Sequence, residues 1–236
     1  MLLTLSKRFE FSASARMHLD NLSESENEAA FGSGRGGRYG QGYNCVLYTI
    51  FAGEVEPATG MMLNVSDIKH KVADLLSDRY DHKFLNVDTP PFDGIMPTPE
   101  NLSRQLLSEI APLFADYPAQ LVACHLELSP ETSATAYTSG RMERNFWIEF
   151  SAARRTYSPH LSDEENRTLF GLASSPEGHG HNYRLRVTLE GPVDSVIGQI
   201  TKDNITRTTL GKLRAMLDHK NLNTQVLQLK NRPTTT

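Results

Sequence analysis

Two stretches of the chain alternate apolar and polar residues with a period of two, Tyr43 to Val55 (YNCVLYTIFAGEV) and His181 to Val193 (HNYRLRVTLEGPV). That alternation sends successive side chains to opposite faces of a pleated strand and predicts a half-buried β-strand in each. Each follows another strand-like run, LSKRFEFSA (Leu5 to Ala13) and RNFWIEFSA (Arg144 to Ala152), across a polar loop. The period then becomes helical. Ile68, Val72, Leu75 and Leu76 fall on one helix face, as do Leu210, Leu213 and Leu217, so a helix is predicted before each of two Asp-His-Lys triplets. A further helix is predicted over Thr98 to Phe114, with Pro99 in its first turn, where a missing N–H costs nothing. The apolar runs Ala119 to Thr132 and Ser133 to Gly140 close the first half as two more strands, giving the order ββααββ.

The resemblance between the halves is a tandem duplication. Phe11 to Gly32 aligns without a gap on Phe150 to Gly171 at an offset of 139, with 10 identities in 22 positions. The offset then slips one residue at a time: Gly40 to Asn44 (GQGYN) on Gly178 to Asn182 (GHGHN), Asp81 to Asn86 (DHKFLN) on Asp218 to Asn223 (DHKNLN), and Pro97 to Pro99 on Pro233 to Thr235. Two domains are expected, residues 1–140 and 141–236. The second copy has no sequence for the second helix and last two strands of the first, so it reads as C-terminally incomplete.

Composition changes the picture by exclusion. No apolar run approaches the roughly 18 residues that a membrane helix needs. The N-terminal MLLTLSKRFEFSASA places its basic residues after the apolar start, which reads as strand and not as a secretory leader. A net charge of −4 without a long basic block argues against nucleic acid as a partner. Cys45 and Cys124 stand apart on apolar runs, outside any metal spacing, and fit reduced thiols of a cytoplasmic protein. Gly32 to Gly37 (GSGRGG) satisfies GxGxxG, but a strand follows it, and a dinucleotide fingerprint needs a helix N-terminus there. No nucleotide cofactor is expected; Arg35 and Arg38 of that loop are candidates to face a phosphate.

FSAA, LSDEENRTLFG, GHGHNY, LDHKNLN, PTPEN and LELSPETSATAYTSG together resemble the 6-pyruvoyl-tetrahydropterin synthase family, which includes the 6-carboxy-tetrahydropterin synthases. The resemblance covers both halves in family order. It implies an α+β tunnelling fold, in which each unit has a four-stranded antiparallel sheet with two helices on one face and units join edge to edge as a barrel. It also implies a pterin substrate, 7,8-dihydroneopterin triphosphate or a similar compound, bound between units, and a homo-oligomer in which three tandem chains imitate six units.

The family's chemistry implies four parts. Zinc held by three histidines polarises the substrate side chain; here His179 and His181, two apart on a strand, supply two ligands, and Arg154 stands in the third place. His160 is a candidate substitute, and the alternative is that both histidines are relics packed on a strand. The first copy carries Ala15, Gln41 and Tyr43 at the three positions, with His18 nearby. A proton-abstracting cysteine is replaced by Ala173 or Ser175, leaving Glu177 as a candidate base. Asp-His pairs recur as Asp81-His82 and Asp218-His219, as catalytic partners or as helix-end chemistry. Glu131, with Thr132, matches the glutamate that accepts the pterin ring's N–H groups.

Two functions follow. One is a pterin-processing lyase with a changed reaction or metal dependence. The other is a catalytically inactive pterin- or purine-binding protein, or a subunit that completes a barrel.

Overall fold

The computed structural model describes residues 2–32 and 37–230. Its elements are β1 (Leu2–Ala15), α1 (Glu24–Phe31), β2 (Gln41–Glu54), α2 (Val65–Arg79), β3 (Lys83–Phe84), α3 (Leu85–Asp88), α4 (Pro99–Ile110), β4 (Gln120–Ser129), β5 (Thr132–Tyr137), β6 (Met142–Arg154), α5 (Asp163–Phe170), β7 (His179–Glu190) and α6 (Asp203–Leu217). The chain is therefore α+β, and the two period-two runs and all three expected helices are present. Arg35 and the Pro233 to Thr235 match lie outside the described residues. No helix among the described residues is long and apolar enough to cross a membrane.

The sheet is larger than four strands. Its order is β3-β1-β2-β4-β5-β6-β7, because β5 pairs antiparallel with β6, Thr132 opposite Phe146 and Ala136 opposite Met142. An edge left open at β5 would expose a row of unpaired N–H and C=O groups; the first strand of the second copy covers it. Within the first copy the strands run antiparallel in the order β1-β2-β4-β5.

Two segments expected as loop are helices. In α1 the Ser23 hydroxyl accepts from the Glu26 N–H while the Glu26 carboxylate accepts from the Ser23 N–H, and Ser162 with Glu165 does the same for α5. These are capping boxes, and the spacing of serine and glutamate three apart was visible in the sequence. For α4 the Thr98 hydroxyl accepts from the Asn101 N–H, with Pro99 in the first turn.

The chain divides into two compact units, one running to Phe146 and taking in Val187–Thr206, the other made of Trp147–Arg186 and the residues from Arg207 on. In the first unit the buried residues of β1, β2, β4, β5, α2 and α4 form one core that includes Phe51, Ile68, Val72, Leu102, Leu106, Phe114 and Leu126. Each such side chain, removed from water, contributes about 1.5–3 kcal/mol before entropy is counted. Phe51 and Phe114 meet edge to face at 4.9 Å. This unit also buries an ion pair: Arg144 Nη1 donates to Glu100 Oε2, with side chains 5% and 1% exposed, and the Ile200 N–H donates to Glu100 Oε1 at 3.2 Å. Gly198 (φ 69°) lies where a Cβ would come within 2.4 Å of Asn101 Nδ2, so only glycine lets this segment lie so close to the start of α4. The second unit has a small core of Phe150, Ala152, Leu222 and Val226, with Tyr183, Leu185, Leu217 and Leu229 against it.

Candidate functional site

The motifs that recur in sequence recur as one splint in space. Asp81 Oδ1 accepts the Ser12 N–H at 2.8 Å, and the Ser12 carbonyl accepts the His82 N–H at 2.6 Å. In the second copy Asp218 Oδ1 accepts the Ser151 N–H at 3.0 Å, and the Ser151 carbonyl accepts the His219 N–H at 2.7 Å. The asparagine that ends each motif makes a second clamp. Asn86 Oδ1 accepts from the Arg16 N–H at 2.7 Å and its amide donates to the Arg16 carbonyl at 3.0 Å; Asn223 does so to Arg155 at the same two distances. His82 and His219 turn the chain with φ of 57° and 55°, a left-handed conformation in which histidine is among the enriched residues.

Further along, Asn27 and Asn166 are fully buried. Asn27 accepts from the Leu19 N–H and donates to the carbonyls of Leu19, Leu22 and Ser23; Asn166 repeats this with Ser158, Leu161 and Ser162. Much of what the two copies share is therefore the means of holding a loop and a helix end to a strand.

On this frame each unit carries a groove. Phe11 and Ala13 of β1 point into the core, so Ser12 and Ser14 between them face the opposite side of the sheet. There they line a depression of about 550 Å³ with Tyr43, Asn44, His82 and Lys83. The second unit has a depression of about 570 Å³ at the matching place, lined by Ser151, His181, Asn182, His219, Lys220 and Asn221 among others. The Ser12 hydroxyl donates to Asn44 Oδ1 at 3.0 Å, and the Ser151 hydroxyl to Asn182 Oδ1 at 2.7 Å. The grooves are thus built to one plan and lined differently.

Among the expected site residues, both Asp-His pairs lie at these grooves, each with its histidine exposed, at 82% and 83%. His82 Nδ1 is 2.9 Å from Asp81 Oδ2, whereas His219 Nδ1 is 3.8 Å from Asp218 Oδ1. Asp81 is held below the usual carboxylate range by the Ser12 N–H and then by His82. Asp218 is lowered first by the Ser151 N–H and then by the charges of His219 and Arg214. His181 shares the second unit's groove with His219.

The histidines on β7 stand close, His179 and His181 having ring centroids 4.7 Å apart. The Nδ1 of His179 is buried without a hydrogen-bond partner among the described residues. Yet among the described residues no three of His, Cys, Asp and Glu converge to hold a metal ion, and His160, exposed in its turn, does not complete the set. The donor set present does not fit the three-histidine zinc shell.

Glu177 is exposed on the turn before β7. Glu131 is exposed in the turn between β4 and β5, where the Ser129 hydroxyl donates to its carboxylate at 3.5 Å. It lies outside the lining of the first unit's groove. Thr132 opens β5, buried, with its hydroxyl unpartnered among the described residues. Lys220, Asn221, Gln225 and the arginines Arg184 and Arg214 also line the second unit's grooves. Lys220 and Asn221 stand in the DHKNLN string, whereas no motif singled out Gln225, Arg184 or Arg214.

The family model described as 6-pyruvoyl tetrahydropterin synthase matches the chain twice, over residues 4–139 and 145–236. The chain is 44% identical over 80 residues to the 6-pyruvoyl tetrahydrobiopterin synthase of Homo sapiens, a match spanning 34% of this chain and 55% of that protein. It is 34% identical over 113 residues to the protein of that name from Dictyostelium discoideum, over 48% of this chain and 82% of that one. The chain thus spans about half the length of the mammalian relative and more of the slime-mould one. It is also similar to the structure of Caenorhabditis elegans 6-pyruvoyl tetrahydropterin synthase, with a TM-score of 0.51 and 29% identity, over 58% of this chain and 96% of that one. Two matches in tandem, each over a copy with its own strand, loop and helix-end splint, establish that the chain belongs to the 6-pyruvoyl tetrahydropterin synthase family.

Proposed function

We propose that the chain binds a pterin and processes it as a lyase, acting on 7,8-dihydroneopterin triphosphate or a close relative. The observation that carries this reading is the Asp81-His82 pair, a carboxylate 2.9 Å from an imidazole nitrogen at the rim of a groove. The Ser12 N–H favours the ionised carboxylate. A fixed carboxylate orients the ring and stabilises the imidazolium that forms when the ring takes a proton. The proton to be moved is one on a carbon of the pterin side chain next to an oxygen-bearing carbon. Asp218-His219 is the second such pair, with Glu177 as a further base and His179 and His181 as groups that hold the side-chain oxygens. Glu131 and Thr132 anchor the ring, the carboxylate accepting two N–H groups.

In this reading the pockets form between units of a cytoplasmic homo-oligomer with the tunnelling fold, three chains supplying six units. Arg154 in the third-ligand place and Ala173 or Ser175 in place of the thiol favour a second reading, a pterin-binding or barrel-completing protein without turnover.

Incubating the purified chain with 7,8-dihydroneopterin triphosphate, with and without added zinc, separates the two. Turnover that disappears in His82→Ala supports the lyase. Pterin binding that is lost in Glu131→Gln, without turnover in either condition, selects the binder. Neither binding nor turnover overturns both the lyase and the binder and leaves a subunit that only completes a barrel.

A further inference from the structure

By spacing alone the two histidines of β7 are part of a metal site. Their ring centroids lie 4.7 Å apart, and the buried Nδ1 of His179 has no hydrogen-bond partner among the described residues. Two neutral imidazoles on one face of a strand attract a divalent ion, since alternate residues point the same way and imidazole nitrogen is a good zinc ligand. The residue opposite them on β6 decides otherwise.

Three contacts fix how β6 and β7 lie against each other within the second unit. The Ser151 hydroxyl donates to Asn182 Oδ1 at 2.7 Å, the Phe150 and Tyr183 rings stack at 5.1 Å with 12° between their planes, and Arg184 Nε lies 3.8 Å from Glu149 Oε1. All three belong to one antiparallel register, the one in which Ala152 stands opposite His181 and Arg154 opposite His179. In keeping with it, Ala152 and His181 line the same groove, and a Cβ on Gly178 would come within 2.8 Å of the Arg154 carbonyl oxygen. The first copy shows the same register, its ladder pairing Ala13 with Tyr43 and Ala15 with Gln41. Residues directly opposite in an antiparallel pair share a face, with Cβ atoms about 4.5–5.5 Å apart. Arg154 therefore rises on the histidines' own face, beside His179.

Its strand cannot shift to carry it away. The Ala153 N–H donates to the Lys220 carbonyl and the Leu222 N–H to the Ala153 carbonyl, both at 2.8 Å, and Asn223 clamps the Arg155 backbone at 2.7 and 3.0 Å. With both flanking residues tied, residue 154 keeps its place, and a guanidinium keeps its charge at any working pH. A divalent ion on the two imidazoles would meet that charge a few ångströms away and find no third imidazole. Among the described residues no other His, Cys, Asp or Glu completes the set.

We propose that Arg154 is a metal-excluding residue, which keeps zinc and similar divalent ions off the His179–His181 pair, so that the second unit works with the two imidazoles themselves. The inference goes beyond the pterin reading and holds for the lyase and the binder alike. It places the whole barrier to metal in one side chain of a strand pair that is otherwise ready for it.

Zinc affinity of the full chain is the test, read by competition with a chromogenic chelator and by metal content after dialysis. Wild type should hold well under one zinc per chain, and His179→Ala should not change that. Arg154→Gln removes the charge without adding an imidazole and should tighten zinc binding about tenfold. Arg154→His also supplies a third ligand and should tighten it at least about a hundredfold, to one zinc per chain; adding His181→Ala should abolish that gain. One zinc per chain in the wild type, lost in His179→Ala, overturns the proposal. So does a folded Arg154→His, with the circular dichroism and melting temperature of the wild type, that binds zinc no tighter than the wild type does. Should Arg154→His not fold, Arg154→Gln decides in its place, and unchanged zinc affinity there overturns the exclusion by charge.

Discussion

Replacing Arg144 by methionine strikes a place where the first unit buries opposite charges. Glu100 is 1% exposed and its carboxylate has two partners, the Arg144 guanidinium and the Ile200 N–H at 3.2 Å. Methionine keeps the apolar stem that packs near Phe146 but strands the carboxylate with one neutral donor. Removing one member of a buried pair costs about 3–5 kcal/mol, because the remaining charge stays out of water. The surviving bond from Ile200 places the expected loss near the lower end, about 3 kcal/mol. Adding Glu100→Gln should return most of it, since an amide oxygen still accepts the Ile200 N–H without a charge to desolvate. The sole tryptophan, Trp147, belongs to the other unit, so its fluorescence is a poor reporter. Native-state hydrogen exchange at the amides of α4 is a direct one. Three kcal/mol corresponds to roughly a hundredfold faster exchange, with recovery to within about tenfold in the double variant. If Arg144→Met alone changes exchange there less than tenfold, the pair is not the fastener its burial implies.

Three other outcomes are expected. Asn27→Ala and Asn166→Ala each remove four hydrogen bonds from a buried loop closure and should each cost about 2–4 kcal/mol in denaturant titrations; a loss below 1 kcal/mol in both would show that water takes over the clamp. Asp81, Asp194 and Asp218 are all held below the usual carboxylate range, chiefly by backbone N–H donors. The unfolded chain therefore binds more protons in acid, so their stabilisation is fully present above about pH 4 and is lost as pH falls through the lowered native values. Melting temperature should drop steeply below pH 4, less so in Asp194→Asn, and a flat profile from pH 5 to 3 would contradict the clamps. Burial pushes the Cys45 thiol up to about 12 and raises Cys124 as well; at pH 8 a thiol reagent should label neither until urea unfolds the chain, and rapid labelling of the folded protein would contradict that burial.

The repeat made the splint half legible. Asp81, His82, Asn86 and their twins could be paired from the string DHKxLN, but not the Ser12 and Ser151 N–H groups that the aspartates bind, since hydrogen-bond partners some 70 residues away leave no local pattern. The helices α1 and α5 were missed although Ser23 with Glu26 and Ser162 with Glu165 announce them, because their short apolar content shows little helical period. Glu100, one residue of the PTPEN string, is buried against Arg144, a pairing set by β6 joining β5.

By itself the sequence determined the strands and longer helices, whose apolar spacing is a local property, and the duplication, which is a matter of matched strings. It also determined that Arg154 directly follows the FSAA string. Tertiary structure alone decided that β5 continues into β6 as a seven-stranded sheet, since edge pairing depends on which backbone groups would otherwise be left bare. It alone decided, too, that two grooves of common frame are lined differently, because the groups lining each come from a strand, its neighbour and a helix end that are distant in sequence. A side chain's type is written in the chain; which other side chains share its solvent is settled only when the chain folds.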